Sequence, residues 1–343
     1  MGPAPSPATD RSRVAIGADL GGTKMLVGVV AAPEGTPREG GKSAENGPAV
    51  LRMKEEASFG RSQDDVLDTM EAELREAMEA HPEARAVGLG IPCTIDHERG
   101  LAIAAVNLPI VDVPVRDIMS ERLGIPVVLD NDANAAALAE HRWGAARGAR
   151  NAVLLTIGTG IGGGLIIDGK LYRGSSGAGA ELGHMVIDHD GPPCQGSCPN
   201  TGCAEAIASG TALGREAQAA AERHPHSALG RLLEAGEDVT GRAATVAALA
   251  GDEVAIEVIE IIGRRLGAFA SGLANVFEPD VIVFGGGVMA AGDLILGPVR
   301  EELLRRALPP MNQTRVAHAE LGPEAGMIGA ATMAMDKVSN EQL

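Results

Sequence analysis

The chain has 343 residues, room for two domains of ordinary size, and 45% of them are apolar, enough for a sizeable core. No apolar run approaches the roughly eighteen residues of a membrane-spanning helix. A net charge of −17 disfavours nucleic-acid and anionic-membrane partners, so a soluble cytoplasmic protein is expected. The opening MGPAPSPATD has neither a basic start nor an apolar core and reads as a disordered tip, not a signal peptide.

In chain order, VAIGADLGGTKMLVGVVA (14–31) is two β-branched runs around a glycine-rich centre, a strand–turn–strand. Residues 32–48 read as a hairpin loop, and VLRMKEEAS (50–58) as a third strand. QDDVLDTMEAELREAMEAH (63–81) has helical period and an acidic first turn. ARAVGLGIP (84–92) is a buried strand. VRDIMSERLG (115–124) is a helix closed by Gly124, and IPVVLD (125–130) is a further buried strand leading into a helix near Asp132. A second α/β block opens with NAVLLTIGTGIGGGLIIDGKLYRG (151–174), again strands around glycines. It continues with an amphipathic helix (251–277), a strand ending in three glycines (280–288), a helix (292–306), a strand (314–321) and a final helix (324–336). Alternating strands and helices indicate an α/β fold. The shared opening of the two blocks hints at duplication.

Three glycine-rich turns follow apolar strands: Asp19 to Lys24, Gly158 to Gly164, and Gly285 to Gly287. Without a Cβ, backbone N–H groups can approach phosphate oxygens, although any one such turn also suits a tight hairpin. The run from Gly158 to Gly163 matches the dinucleotide pattern, yet that pattern requires a helix next, and LIIDG is β-type. GGKS (40–43) resembles the end of a Walker A loop but lacks its first glycine, since position 36 is Thr36.

His184, Cys194, Cys198 and Cys203 follow one another at His-x9-Cys-x3-Cys-x4-Cys spacing. Three thiolates and an imidazole make a closed tetrahedral Zn²⁺ set, and four protein ligands imply a structural ion. His189 is a lesser alternative ligand, and Cys93 reads as a small buried residue. Glu181 and Glu205 bracket the cluster. Asn131, Asp132 and Asn134 sit where a buried strand meets a helix, so any of them could be an N-cap, and Asp132 could instead be a general base.

Taken together, ADLGGTK (18–24), VNLP (106–109), LDNDANAAALAE (129–140), TIGTGIGGGLIIDGKLYRGSSGAGAELGH (156–184), GCAE (202–205) and FGGGV (284–288) resemble the ROK family of sugar kinases, in particular its glucokinase-like members. The resemblance implies two actin-like, ribonuclease-H-like α/β domains with an interdomain cleft and a zinc knuckle (184–203) in the second. It suggests a smaller domain of 13–130 plus 322–343, after a tip of 1–12, and a larger one of 131–321.

The implied activity is ATP-dependent phosphorylation of a hexose, first of all glucose, with Asp132 as base. Asn107, Asn131, Asp132, Glu181, His184 and Glu205 would hold the sugar. Asp19, Gly21, Gly22, Thr23, Lys24, Gly158, Thr159 and Gly160 would face the phosphates and Mg²⁺, and Gly286 and Gly287 the adenosine. The alternatives are another hexose or an N-acetylhexosamine as acceptor, polyphosphate as donor, or a non-catalytic sugar-sensing regulator. The family's DNA-binding repressors carry an N-terminal helix-turn-helix segment. The first strand here begins at Val14, and the negative charge also disfavours DNA. The resemblance further implies a homodimer or homotetramer. One departure stands out: the family's first two cysteines are usually one residue apart, whereas three residues separate Cys194 from Cys198.

Overall fold

The computed structural model describes residues 14–21, 24–33, 47–56, 62–105 and 108–341. Asn107, Gly22, Thr23, the 1–12 tip and the GGKS stretch lie outside the described residues. The chain divides into two compact units. The first holds the described residues up to Gly148, the segment Arg173–Gly179 and the chain from Pro323 on; the second holds Ala149–Tyr172 and Ala180–Gly322. The first unit thus runs through the junction at 130/131 and keeps the helix that follows it.

The first unit is built on β1 (Val14–Leu20), β2 (Met25–Ala31), β3 (Ala49–Glu56), α1 (Gln63–Ala80) and β4 (Val87–Ile91). There follow β5 (Cys93–Asp96), β6 (Leu101–Ala105), β7 (Val111–Val113), α2 (Val115–Leu123), β8 (Val127–Asn131) and α3 (Asp132–Trp143). Its main sheet has the order β3-β2-β1-β4-β8. β1–β2 and β2–β3 are antiparallel, whereas β1–β4 and β4–β8 are parallel. β5, β6 and β7 form a small antiparallel sheet of their own. Helix α1 opens with a capping box, Ser62 and Asp65 each accepting the other's backbone N–H. Gly124 closes α2 in the left-handed region, as its position at the end of the helical pattern predicts.

The second unit contains β9 (Ala152–Ile157), β10 (Ile161–Ile167), β11 (Lys170–Tyr172), α4 (Ala204–Ala208), α5 (Gly210–Arg223), α6 (Ala228–Glu234), α7 (Gly241–Leu249), α8 (Glu253–Phe277), β12 (Val281–Gly285), α9 (Asp293–Arg306) and β13 (Arg315–His318). Its sheet order is β11-β10-β9-β12-β13. β9–β10 and β10–β11 are antiparallel, and β9–β12 and β12–β13 parallel. This repeats the first sheet strand for strand, so the duplication suggested by the two glycine-rich openings is present in the topology. β10 follows the second glycine turn directly, which rules out the helix a dinucleotide site needs.

The chain ends in α10 (Ala325–Glu341), which covers the first sheet and packs along α3. Glycine makes that approach possible. A Cβ on Gly88 would lie 1.8 Å from the Ala330 carbonyl oxygen, and one on Gly17 2.0 Å from that of Met327. Among the described residues, no helix is long and apolar enough to cross a membrane.

Candidate active site

In the first unit, three parallel strands deliver their carboxyl ends to one edge. Register pairs Asp19 of β1 with Gly90 of β4, and Gly90 with Asp130 of β8. Asn131, the last residue of β8, caps α3: its Oδ1 accepts the backbone N–H of Ala133 at 2.9 Å and of Asn134 at 3.2 Å. Its extended backbone, φ −67° and ψ 147°, is what an N-cap requires. Asp132 is therefore the first helical residue, and the capping duty falls to its neighbour. Gly90 lies beneath it, where a Cβ would come within 3.4 Å of the Asp132 Cα.

Asp19 is half-buried, and its carboxyl pKa is pushed up to about 7. Desolvation is the main cause and the neighbouring Asp132 the second, while Lys24 pulls the other way. Two carboxylates within electrostatic reach of each other, one of them desolvated, favour a cation. The Asp19 carboxyl also lies against the first turn of α10, where a Cβ on Gly326 would fall 2.3 Å from its Oδ2. Lys24 forms an exposed ion pair with Glu55 at 2.7 Å. Its turn is closed by the Gly21 N–H donating to the Lys24 carbonyl at 2.7 Å.

In the second unit, the glycine turn after β9 and the glycines after β12 lie side by side, because β9 and β12 are adjacent parallel strands. A Cβ on Gly286 would meet the Ile157 carbonyl at 2.5 Å. Gly158 donates to the Gly160 carbonyl at 2.9 Å, and Gly210, at the start of α5, donates to the Gly158 carbonyl at 2.7 Å. The Thr159 carbonyl accepts from Thr211 Oγ1 at 2.9 Å and from Gln195 Nε2 at 3.2 Å. Gly287 opens a short 3-10 turn, Gly287–Ala291.

The sulfur–imidazole cluster assembles beside this turn. One ligand atom from each of His184, Cys194, Cys198 and Cys203 lies within 4.8 Å of the others. Cys194 Sγ is 3.5 Å from His184 Nδ1, and Cys198 Sγ is 3.9 Å from Cys203 Sγ. A tetrahedral zinc ion with bonds of about 2.3 Å to sulfur and 2.0 Å to nitrogen would set these separations near 3.5 and 3.8 Å. The donor set and its spacing therefore fit a Zn²⁺ ion despite the longer gap between the first two cysteines. Burial pushes the Cys194 thiol well above its ordinary range and raises the Cys203 thiol as well. His189 is exposed, pairs with Asp190 and stands apart from the cluster. Cys93 is buried in β5, in the first unit's core.

Glu205 links the cluster to the glycine turn. Its Oε2 accepts the Ile161 N–H at 2.8 Å, and its Oε1 accepts from Cys194 Sγ at 3.8 Å. A Cβ on Gly160 would sit 2.0 Å from Oε2, so glycine at 160 is what admits the carboxylate. The Glu181 carboxyl is also pushed up, first by desolvation and then by Glu205, while His184 opposes the shift. The residue before it, Ala180, holds a left-handed backbone at φ 68°, a conformation that costs energy without glycine. Glu181, His184 and Glu205 therefore form one electrostatic group in the second unit.

Two sets of contacts were not foreseen from the sequence. One is Gln195 and Thr211 holding the Thr159 carbonyl. The other is an ion pair between the buried Asp130 and the half-buried Arg173, 2.6 Å apart. Neither belongs to a short motif; only the Asp-Asn-Asp run at 130–132 hints at the second.

A doubled mixed sheet, with carboxylates at the strand ends of one copy and glycine turns at those of the other, is the architecture of the actin-like α/β proteins. Within that class the sequence pattern of the ROK family matches residues 15–337, and the chain belongs to the ROK family. It is 34% identical over 325 residues to a glucokinase of Thermotoga maritima, covering 94% of this chain and 98% of that one. It is 36% identical over 328 residues to a glucokinase of Streptomyces coelicolor, covering 94% and 97%. Among solved structures, a ROK family glucokinase from Streptomyces griseus in complex with glucose and AMPPNP superimposes with a TM-score of 0.79 at 36% identity, covering 94% of this chain and 99% of that one.

Proposed function

We propose that this protein is an ATP-dependent glucokinase, transferring the γ-phosphoryl group of ATP to the 6-hydroxyl of glucose with Asp132 as general base. The observation that carries the reading is the placement of Asp132. It is a carboxylate at the carboxyl end of a parallel strand, at the first position of a helix that Asn131 caps, and within electrostatic reach of Asp19. The glucokinase relatives, matched over almost the whole chain, support glucose as acceptor and ATP as donor.

In this reading the first unit supplies the reacting groups. Asp132 accepts the proton of the sugar hydroxyl as that oxygen bonds to the γ-phosphorus. The bond from that phosphorus to the bridging oxygen breaks, and ADP leaves. Asp19 would hold the Mg²⁺ that accompanies ATP, and the cation's charge would favour the ionised carboxylate. Phosphoryl transfer depends chiefly on positioning and charge neutralisation, with base catalysis contributing about 10²–10⁴-fold.

The second unit supplies binding groups. Glu181, His184 and Glu205, with Asn107 and Asn131 of the first unit, take sugar hydroxyls. The turns at Gly158–Gly160 and Gly286–Gly287 take the phosphates and adenosine, as do Gly21, Gly22, Thr23 and Lys24 of the first unit. His184, Cys194, Cys198 and Cys203 would hold the zinc ion through four protein ligands, a closed structural site. With Nδ1 turned to the sulfurs, the imidazole keeps Nε2 for a substrate hydroxyl. An ATP substrate and reduced thiols both suit the cytoplasm. The family resemblance supports a homodimer or homotetramer.

The test is ADP release with Mg²⁺-ATP against a panel of hexoses, N-acetylhexosamines and a no-sugar control. Glucose is expected to give the highest kcat/KM. Preference for another sugar would move the specificity and keep the mechanism. No sugar-dependent ADP from folded, zinc-loaded protein would remove the kinase reading.

A further inference from the structure

The buried polar network under Asp132 has no counterpart in the roles assigned above. Asp130 is fully buried at the end of β8. Its Oδ1 accepts the Asn131 backbone N–H at 2.8 Å and the Asn134 side-chain amide at 2.9 Å. Its Oδ2 accepts Arg173 Nε at 2.6 Å. One carboxylate thus grips the residue before Asp132 and the residue two beyond it. Asn134 is itself buried and held through its nitrogen, its Oδ1 having no hydrogen-bond partner.

Arg173 comes from far along the chain, 43 residues away. It is the first residue of a strap, Arg173–Gly179, which returns from the second unit's β11 to join the first unit. The strap is docked by specific contacts. The His97 backbone N–H donates to the Ser176 carbonyl at 3.2 Å. Gly177, at φ 103°, passes so close that a Cβ would meet the His97 nitrogen at 2.6 Å. The His97 ring adds a bond to the Leu129 carbonyl at 3.2 Å and lies 3.9 Å from Asp130 Oδ2. The strap therefore presents Arg173 to Asp130 in a fixed pose.

An ion pair with one buried and one half-buried partner is a poor device for stability, since its attraction is offset by desolvation on one side and screened by solvent on the other. It is a good device for fixing orientation, because a desolvated carboxylate with its acceptor sites taken cannot rotate without losing bonds to charged and polar donors. We propose that Arg173 and Asp130 are a positioning pair that sets the orientation of Asn131 and Asp132 at the head of α3. This rests on the reading of Asp132 as the base. The pair touches no substrate and acts through the backbone and amide groups on either side of Asp132.

The test uses the full-length, zinc-loaded protein. Arg173→Ala, Arg173→Lys and Asp130→Asn are compared with wild type for kcat, for glucose Kd by calorimetry, and for melting temperature, with assays well below the lowest melting point. Folded Arg173→Ala is expected to lose at least tenfold in kcat, with a distinctly smaller rise in glucose Kd through the shifted Asn131. Millimolar guanidinium should restore part of the rate, and Arg173→Lys should fall between Arg173→Ala and wild type. A folded Arg173→Ala with kcat within twofold of wild type overturns the proposal. So does a loss that guanidinium leaves untouched and that follows the melting temperature alone. If Arg173→Ala does not fold, Asp130→Asn decides by the same kcat criterion. If neither variant folds, the pair serves stability and the proposal fails. A wild-type protein that phosphorylates no sugar instead removes the kinase reading, and this proposal falls with it.

Discussion

The two units carry the same five-stranded sheet, yet the residues at the strand ends of the two copies differ in kind. In the first, the ends of β1 and β8 bear Asp19, Asp130, Asn131 and Asp132, and one of these carboxyls is pushed up to about 7. In the second, the ends of β9 and β12 bear glycines, and the polar groups come from the Leu182–His184 turn and the knuckle that follows. The comparison teaches that topology sets where a site forms, at the carboxyl ends of parallel strands, and leaves its chemistry to the residues there. On the proposed reading, the first copy supplies the proton acceptor and the second supplies backbone and side chains that bind.

That contrast can be broken. The largest effect should come from the zinc ion proposed for the second unit's Cys–His cluster. Stripping it with a chelator is expected to cost about 4 kcal/mol if free zinc stands near a thousand times its Kd, roughly a 6 °C fall in melting temperature for a chain of this length. Glucose affinity should fall with it, and atomic absorption should find one zinc per chain beforehand. Unchanged melting after verified metal loss would detach the cluster from the fold.

The first unit should answer to pH instead. The raised pKa of Asp19 means that the folded state binds a proton more tightly than the unfolded state. Below about pH 4 both states are protonated and this group has no effect on stability. As pH rises toward about 7 and beyond, the folded state carries the cost of a buried charge, up to about 4 kcal/mol. In the absence of Mg²⁺, wild type should therefore lose stability relative to Asp19→Asn between pH 5 and pH 8. Parallel melting profiles of the two proteins would contradict the burial of this charge.

A smaller change sharpens the picture at the glycine turn. Gly160→Ala should push Glu205 off the Ile161 N–H and cost about 1.5–3 kcal/mol of a charge-assisted bond. The expected readout is a rise in glucose KM of tenfold or more, with kcat less affected. An unchanged KM would mean that Glu205 does not hold the sugar from this position.

Much of this was legible in the sequence, for physical reasons. Both strand–glycine–strand openings are strongly patterned, and the Cys and His spacing has few other uses. Gly124 marks the end of α2 because only glycine takes that backbone cheaply. The small sheet of β5, β6 and β7 was not anticipated, since strands of three to five residues show too little alternation to read. No elements were assigned over α4 to α7, where alanine dilutes the contrast between the faces of each helix. The choice of cap among Asn131, Asp132 and Asn134 needed backbone angles, which composition does not supply. The Asp130–Arg173 pair needed the return of a strap from a distant part of the chain, a tertiary fact with no local signature.

The most direct test of the account is Asp132→Ala, read by ADP release with glucose and Mg²⁺-ATP and, on the same sample, by glucose calorimetry. The account predicts that kcat falls about 10²–10⁴-fold while glucose Kd moves by less than about threefold, well under the factor of ten that 1.4 kcal/mol represents. Turnover at the wild-type rate in that variant would contradict it.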